Sequence, residues 1–243
     1  MLSQKYYENV TAILREINDT QTQKIYQAGA LVAEALMNGN ILHLFGAGHS
    51  HMLVEEGFYR AGGLVPVNPL FDSAVMLHGG AIKSSAVERL EEYAGMILNN
   101  YKIDPGDVLI MFSNSGRNEL VVEMASCAKN KGMKVIVVYS SSYKDASSKH
   151  SSGKRMEAFA DIAIDNCCPY GDALVELPGQ GMSIAPGSTV AGATILHMIN
   201  VAAAEALIEK GGELEFFVSA NIDNVPNRNK ELLDKYKGKI RAL

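Results

Sequence analysis

Val108-Leu-Ile-Met-Phe112-Ser113-Asn114-Ser115-Gly116-Arg117-Asn118 is the stretch of this chain whose reading decides the fold. Consecutive apolar residues without polar alternation describe a strand buried on both faces. Asp104-Pro-Gly106-Asp107 is a turn leading in, and a helical pattern over 118–131 leads out. Strand, polar loop and helix in that order form the repeating unit of a parallel sheet with right-handed crossovers. The same unit stands earlier, as Ile41-Leu-His-Leu-Phe45, then Gly46-Ala-Gly48-His49-Ser50, then a helical stretch over 50–61. Free backbone N–H groups and the helix dipole make each hydroxyl-bearing loop a seat for an anion. Ligands of open α/β sheets gather at the carboxyl ends of strands, so both loops are expected on one edge.

Three further strands are expected, at Gly63–Asn68, Val135–Tyr139 and Asp161–Asp165, with a helix at 84–99. Before them, apolar stripes at helical spacing (Tyr6, Val10, Leu14, Ile17, then Ile25, Ala28, Leu31, Val32, Ala35) describe two helices broken at Asn18-Asp-Thr20. Residues 166–187 are Gly- and Pro-rich and read as a long irregular connection. Ser188–Glu209 is an alanine-rich helix, and Pro226 precedes a short helix near 229–237. The expected architecture is a three-layer αβα sandwich on a five-stranded parallel sheet, N-terminal helices alongside. One domain spans 1–243: helices over 1–38, a core over 40–210 and a tail over 211–243.

Composition excludes several classes of function. The chain has 243 residues, 47% hydrophobic and 20% charged, with net charge −5, which argues against nucleic acid held by phosphate neutralisation. No apolar run of spanning length and no secretory leader is read, so neither membrane nor export is expected. Cys127, Cys167 and Cys168 are odd in number and read as reduced thiols of a cytoplasmic protein. No metal or other cofactor is expected.

Each motif has a plainer reading beside the functional one. Gly46-Ala-Gly48 begins like a dinucleotide fingerprint, but His51 stands where its third glycine belongs. Gly48-His49-Ser50-His51-Met52 is close to a hydrolase nucleophile elbow, but ends in Met52 instead of glycine. Ser50 alone could be a helix N-cap. In the second loop Gly116 lets the chain wrap an anion closely, and Ser113, Ser115 and Asn118 supply donors, where a plain capped turn needs one serine.

The two loops, in this order and context, resemble those of the sugar isomerase (SIS) domain family over roughly residues 5–210. The resemblance implies a flavodoxin- or Rossmann-like fold and a sugar phosphate held by Ser50, Ser113, Asn114, Ser115 and Asn118, with Gly48 and His49 beside them. Gly187-Ser188-Thr189-Val-Ala191-Gly192 through Asn200 is similar to a stretch of the N-acetylmuramic acid 6-phosphate etherase branch, which adds Ser188 and Thr189 as substrate contacts. Leu196 stands where that branch has lysine, and the Ser-Thr to Ala-Gly region is shorter. The phosphoheptose isomerase branch is the other relative in view.

Three acid–base candidates follow. Isomerisation needs a base beside the carbon α to a carbonyl. Glu88 is the etherase-type match, although Ser85-Ala-Val-Glu88 also spells a capping box. Glu56 falls where isomerase members carry a histidine, with Tyr59 and Arg60 in the region of their glutamate. His197 matches a late-helix histidine that assists ring opening or proton transfer; its plain reading is a packed core histidine. The expected function is isomerisation of a sugar phosphate, the alternatives being an etherase or lyase on an N-acetylated amino-sugar phosphate and a non-catalytic sensor. The resemblance further implies a homodimer or homotetramer.

Overall fold

The computed structural model describes residues 1–222 and 227–243. Its central sheet contains β1 (Leu42–Gly46), β2 (Val67–Pro69), β3 (Val108–Phe112), β4 (Lys134–Tyr139) and β5 (Ile162–Asp165). All pairs are parallel and the order is β2-β1-β3-β4-β5. The sheet is the expected one, with the second strand shorter than the apolar run suggested.

Alternate residues of each strand feed two cores. Leu42, Leu44, Val108, Ile110, Phe112 and Ile136 face a layer built from α1 (Leu2–Met37), α2 (His51–Gly57) and α6 (Ser188–Lys210). Phe45, Leu109, Met111, Val135 and Val137 face α4 (Tyr93–Asn99) and α5 (Glu119–Asn130). Both layers being apolar explains why the strands carry no polar alternation.

α1 is one helix, not two. Ile13, Ile17, Gln21, Ile25, Ala28 and Val32 form a single buried stripe that runs straight through Asn18-Asp-Thr20, so burial overrides the weak breaking tendency of those residues. Its partner is α6, and at their crossing a Cβ on Gly29 would stand 2.5 Å from the Ala202 methyl. α6 is long and apolar enough to cross a membrane by length and composition, yet Ala191, Ile195, Leu196, Ile199 and Ala203 are buried in the core.

Three other expectations are corrected. The helix expected at 84–99 is split into α3 (Ala81–Val87) and α4, because Glu92 adopts a left-handed conformation, φ 69°. Glu88 therefore ends α3 and the capping box does not form; Ser84 and Ser85 are interior to the helix. Residues 166–187 are not irregular throughout: β6 (Ala173–Leu177) and β7 (Met182–Pro186) form an antiparallel hairpin, hidden from pattern reading by the glycines and prolines around its strands. The tail folds back beside the segment leading into β2, Leu64 forming an isolated antiparallel bridge with Phe216, and α7 (Arg228–Tyr236) packs Leu232 and Tyr236 against Ile41 and Val65. Pro226 lies outside the described residues.

Candidate functional site

Strand order reverses at β1: the chain goes from β1 to β2 on one side and to β3 on the other. The loops leaving β1 and β3 therefore diverge and leave a crevice at their carboxyl ends. Ser50, Ser113, Asn114, Asn166, Ser188 and Thr189 line a cleft there, floored by Leu53, Phe112, Val138 and Gly192. No charged side chain is among these lining residues.

Backbone requirements shape both loops. A Cβ on Gly46 would lie 2.4 Å from the Ser50 carbonyl oxygen, so only glycine lets the first loop fold back on itself. In the second loop Gly116 has φ 61°, a left-handed turn that glycine adopts without strain, and its N–H donates to Ser113 Oγ at 3.2 Å. Arg155 braces this loop from outside, donating from Nη2 to the Ser115 carbonyl at 2.8 Å and from Nε to Glu157 at 2.6 Å.

The other loop residues are placed differently. Gly48 N–H is spent on the Val75 carbonyl at 2.9 Å. His49 is exposed. The Ser115 side chain is not among those lining the cleft. Asn118 turns to Glu88, Nδ2 donating to Oε2 at 3.0 Å, and does not cap α5 with its side chain. Glu88 Oε1 in turn lies 3.1 Å from where a Cβ on Gly48 would stand. Burial raises the pKa of Glu88 above the usual carboxylate value; the Asn118 hydrogen bond and the charges of Lys149 and Arg89 oppose this without cancelling it.

Glu56 and His197 meet. His197 Nε2 and Glu56 Oε1 are 2.8 Å apart, and Arg60 Nη1 donates to Glu56 Oε2 at 2.7 Å. Both line a broad groove between α1 and α6, with Asn18, Thr22 and Tyr26 opposite. Thr189 lines both this groove and the polar cleft, so the two are continuous. At the helical rise, Thr189 and His197 stand about 12 Å apart along α6.

Sequence reading missed Asn166 and Asp172. Asn166 directly follows β5, and its strand-end position was the available signal. Asp172 closes the start of α6: its Oδ1 accepts from Ser188 N at 2.8 Å and Gly187 N at 3.2 Å, and its Oδ2 from Ser188 Oγ at 2.6 Å. A carboxylate is therefore already at that helix terminus, and Ser188 Oγ is committed to it.

A family model described as SIS domain matches residues 5–140. A UPF0309 protein of Caldanaerobacter subterraneus is 43% identical over 242 residues, covering 98% of each chain. A UPF0309 protein of Listeria monocytogenes is 41% identical over 239 residues, covering 98% of this chain and 97% of its own. Among solved structures, a phosphoheptose isomerase from Francisella tularensis superposes with TM-score 0.53 at 17% identity, covering 83% of this chain and 96% of its own. Phosphoheptose isomerase from Neisseria gonorrhoeae gives 0.52 at 16%, covering 82% and 94%. At these identities the solved structures establish the fold.

Proposed function

The chain belongs to the SIS domain family, and on that premise we propose that it binds a sugar phosphate in the polar cleft and isomerises it through proton transfer beside a carbonyl. One observation carries this reading. Ser50, Ser113, Asn114 and Thr189 converge at the switch point of the sheet, and the cleft they form opens through Thr189 to the Glu56–His197 pair. The phosphate sits on the hydroxyls and the Asn114 amide, and the sugar extends along α6. Glu56 takes the proton from the carbon next to the carbonyl and returns it to the neighbouring carbon. His197 passes a proton between the two oxygens of the enediol-like intermediate.

A second reading is elimination of an ether from an N-acetylated amino-sugar phosphate, which also begins with removal of an α-proton. What favours it is Glu88, held between the two loops with its basicity raised by burial. Incubation with sugar phosphates in deuterated water tests both. Isomerisation brings solvent deuterium into the sugar and a new isomer; elimination releases the ether substituent. Binding with no exchange across a broad panel would leave a phosphosugar sensor and overturn catalysis.

Assembly and location belong to the same reading. Tyr26, Val190 and Val201 are exposed along the α1–α6 groove, which supports a homo-oligomer closing over the Glu56–His197 pair. Free thiols at Cys127, Cys167 and Cys168 support a cytoplasmic protein.

A further inference from the structure

Two asparagines meet at the wall of the polar cleft. Asn166 is 3% exposed; its Oδ1 accepts from the Cys168 backbone N–H at 3.0 Å, and its Nδ2 donates to Asn114 Oδ1 at 2.9 Å. A carboxamide has one accepting end and one donating end, and its orientation follows from its partners. A backbone N–H can only donate, so Asn166 must face Cys168 with Oδ1. Its opposite end is then the donor Nδ2, so Asn114 must answer with Oδ1. Asn114 Nδ2 is left to the cleft, and among the described residues it has no protein acceptor.

The anchor of this relay is buried and hydrogen-bonded. Cys168 is buried, and its carbonyl accepts from Ser140 Oγ at 2.5 Å, a hydroxyl with no solvent exposure. Ser140 N also donates to the Asn114 carbonyl at 2.9 Å. The contrast with the other lining groups is chemical. The hydroxyls of Ser50 and Thr189 rotate, and serve as donor or acceptor as the ligand requires; Asn114 cannot.

We propose that the relay from Cys168 N–H through Asn166 to Asn114 presets the polarity of the cleft: Asn114 is a locked donor, and the cleft favours a group that presents hydrogen-bond acceptors there, an oxyanion such as phosphate. Asn166 is a positioning residue that acts through Asn114. The inference rests on the phosphate seat proposed above and adds a fixed donor that favours an anion in that seat without a charged side chain.

Asn166→Asp tests it. The new carboxylate still accepts from Cys168 N but cannot donate, so the Asn114 amide turns over and presents Oδ1 to the cleft. Inorganic phosphate is the probe, its Kd read by titration with thermal-shift or phosphorus NMR detection. Asn166→Asp is expected to weaken phosphate binding about tenfold or more, and Asn166→Ala, which leaves Asn114 free to rotate, by only a few-fold. The added negative charge is separated by repeating Asn166→Asp in an Asn114→Ala background. Charge alone costs the same in both backgrounds, whereas the relay costs more when Asn114 is present. Equal losses, or a larger loss for Asn166→Ala than for Asn166→Asp, overturn the relay. A wild-type chain that binds no phosphate overturns the seat itself, before any variant is made. Should Asn166→Asp fail to fold, the side-chain amide protons of Asn114 in the wild-type chain decide: they shift on phosphate addition, and unmoved signals overturn the proposal.

Discussion

The Glu88 carboxylate accepts a hydrogen bond from Asn118 Nδ2 at 3.0 Å, and this contact ties the end of α3 to the second serine-bearing loop. Neither residue is near the other in sequence. Together with the approach of Glu88 to Gly48, it places one carboxylate between the two loops of the candidate site.

Burial raises the pKa of Glu88, so the folded chain holds that proton more tightly than the unfolded chain. The stability linked to the protonated group is fully present below the unfolded value, about 4.3, and is lost as pH rises through the folded value. Glu88→Gln carries the neutral form at every pH and can still accept from Asn118. It is expected to melt above the wild type at neutral pH, with the gap closing as pH falls below about 4. Thermal melts across that range check this, and a gap independent of pH would refute it.

Glu56 and His197 are 2.8 Å apart and are proposed to act as one unit. Glu56→Gln and His197→Ala should each abolish deuterium exchange into a bound sugar phosphate, and the double variant should be hardly worse than either. Phosphate affinity, set in the cleft, should stay within about twofold of wild type, the scale of a lost exposed ion pair. A large loss of phosphate affinity in either variant would place the phosphate in the groove instead.

Asp172 caps α6 through the N–H groups of Gly187 and Ser188 and the Ser188 hydroxyl. Asp172→Ala should lower stability by about 1–2 kcal/mol, as loss of an N-terminal cap does. It should also strengthen phosphate binding, because it removes a carboxylate from the edge of the seat and frees Ser188. Denaturant titration and the phosphate Kd read the two effects separately; unchanged affinity would show that Ser188 makes no contact with the anion.

Val201 is 60% exposed on α6 and lines the α1–α6 groove. Val201→Glu puts a charge into the proposed subunit contact, where desolvation is costly. Sedimentation should then show a smaller particle than the wild type, with each chain still folded. A wild-type chain that sediments as a monomer would remove the oligomer from the reading.

Much of the fold was legible because it depends on local pattern. The runs Leu42–Phe45, Val108–Phe112 and Val135–Val138 are buried on both faces, and a strand in the middle of three layers can be little else. The errors fall where tertiary packing overrules local preference. Asn18-Asp-Thr20 carries a helix because Ile17 and Gln21 are buried on either side. The β6–β7 hairpin escaped because its alternating apolar residues Met182 and Ile184 are exposed and lie among glycines and prolines that read as a loop. In the candidate site the hydroxyl loops were visible as strand-end punctuation, but Asn166 offered only its place after β5, and Asp172 means nothing until its partners at the start of α6 are known.

What the sequence by itself determined is the parallel α/β architecture, the order of its two serine loops and, through them, the family. What only the tertiary structure decided is which polar groups meet: Glu56 with His197, Glu88 with Asn118, Asn166 with Asn114. The reason is physical. Strands and helices are specified by periodicities that a few consecutive residues carry. A hydrogen bond between residues as distant as 56 and 197 exists only once packed layers have brought their helices to one edge of the sheet.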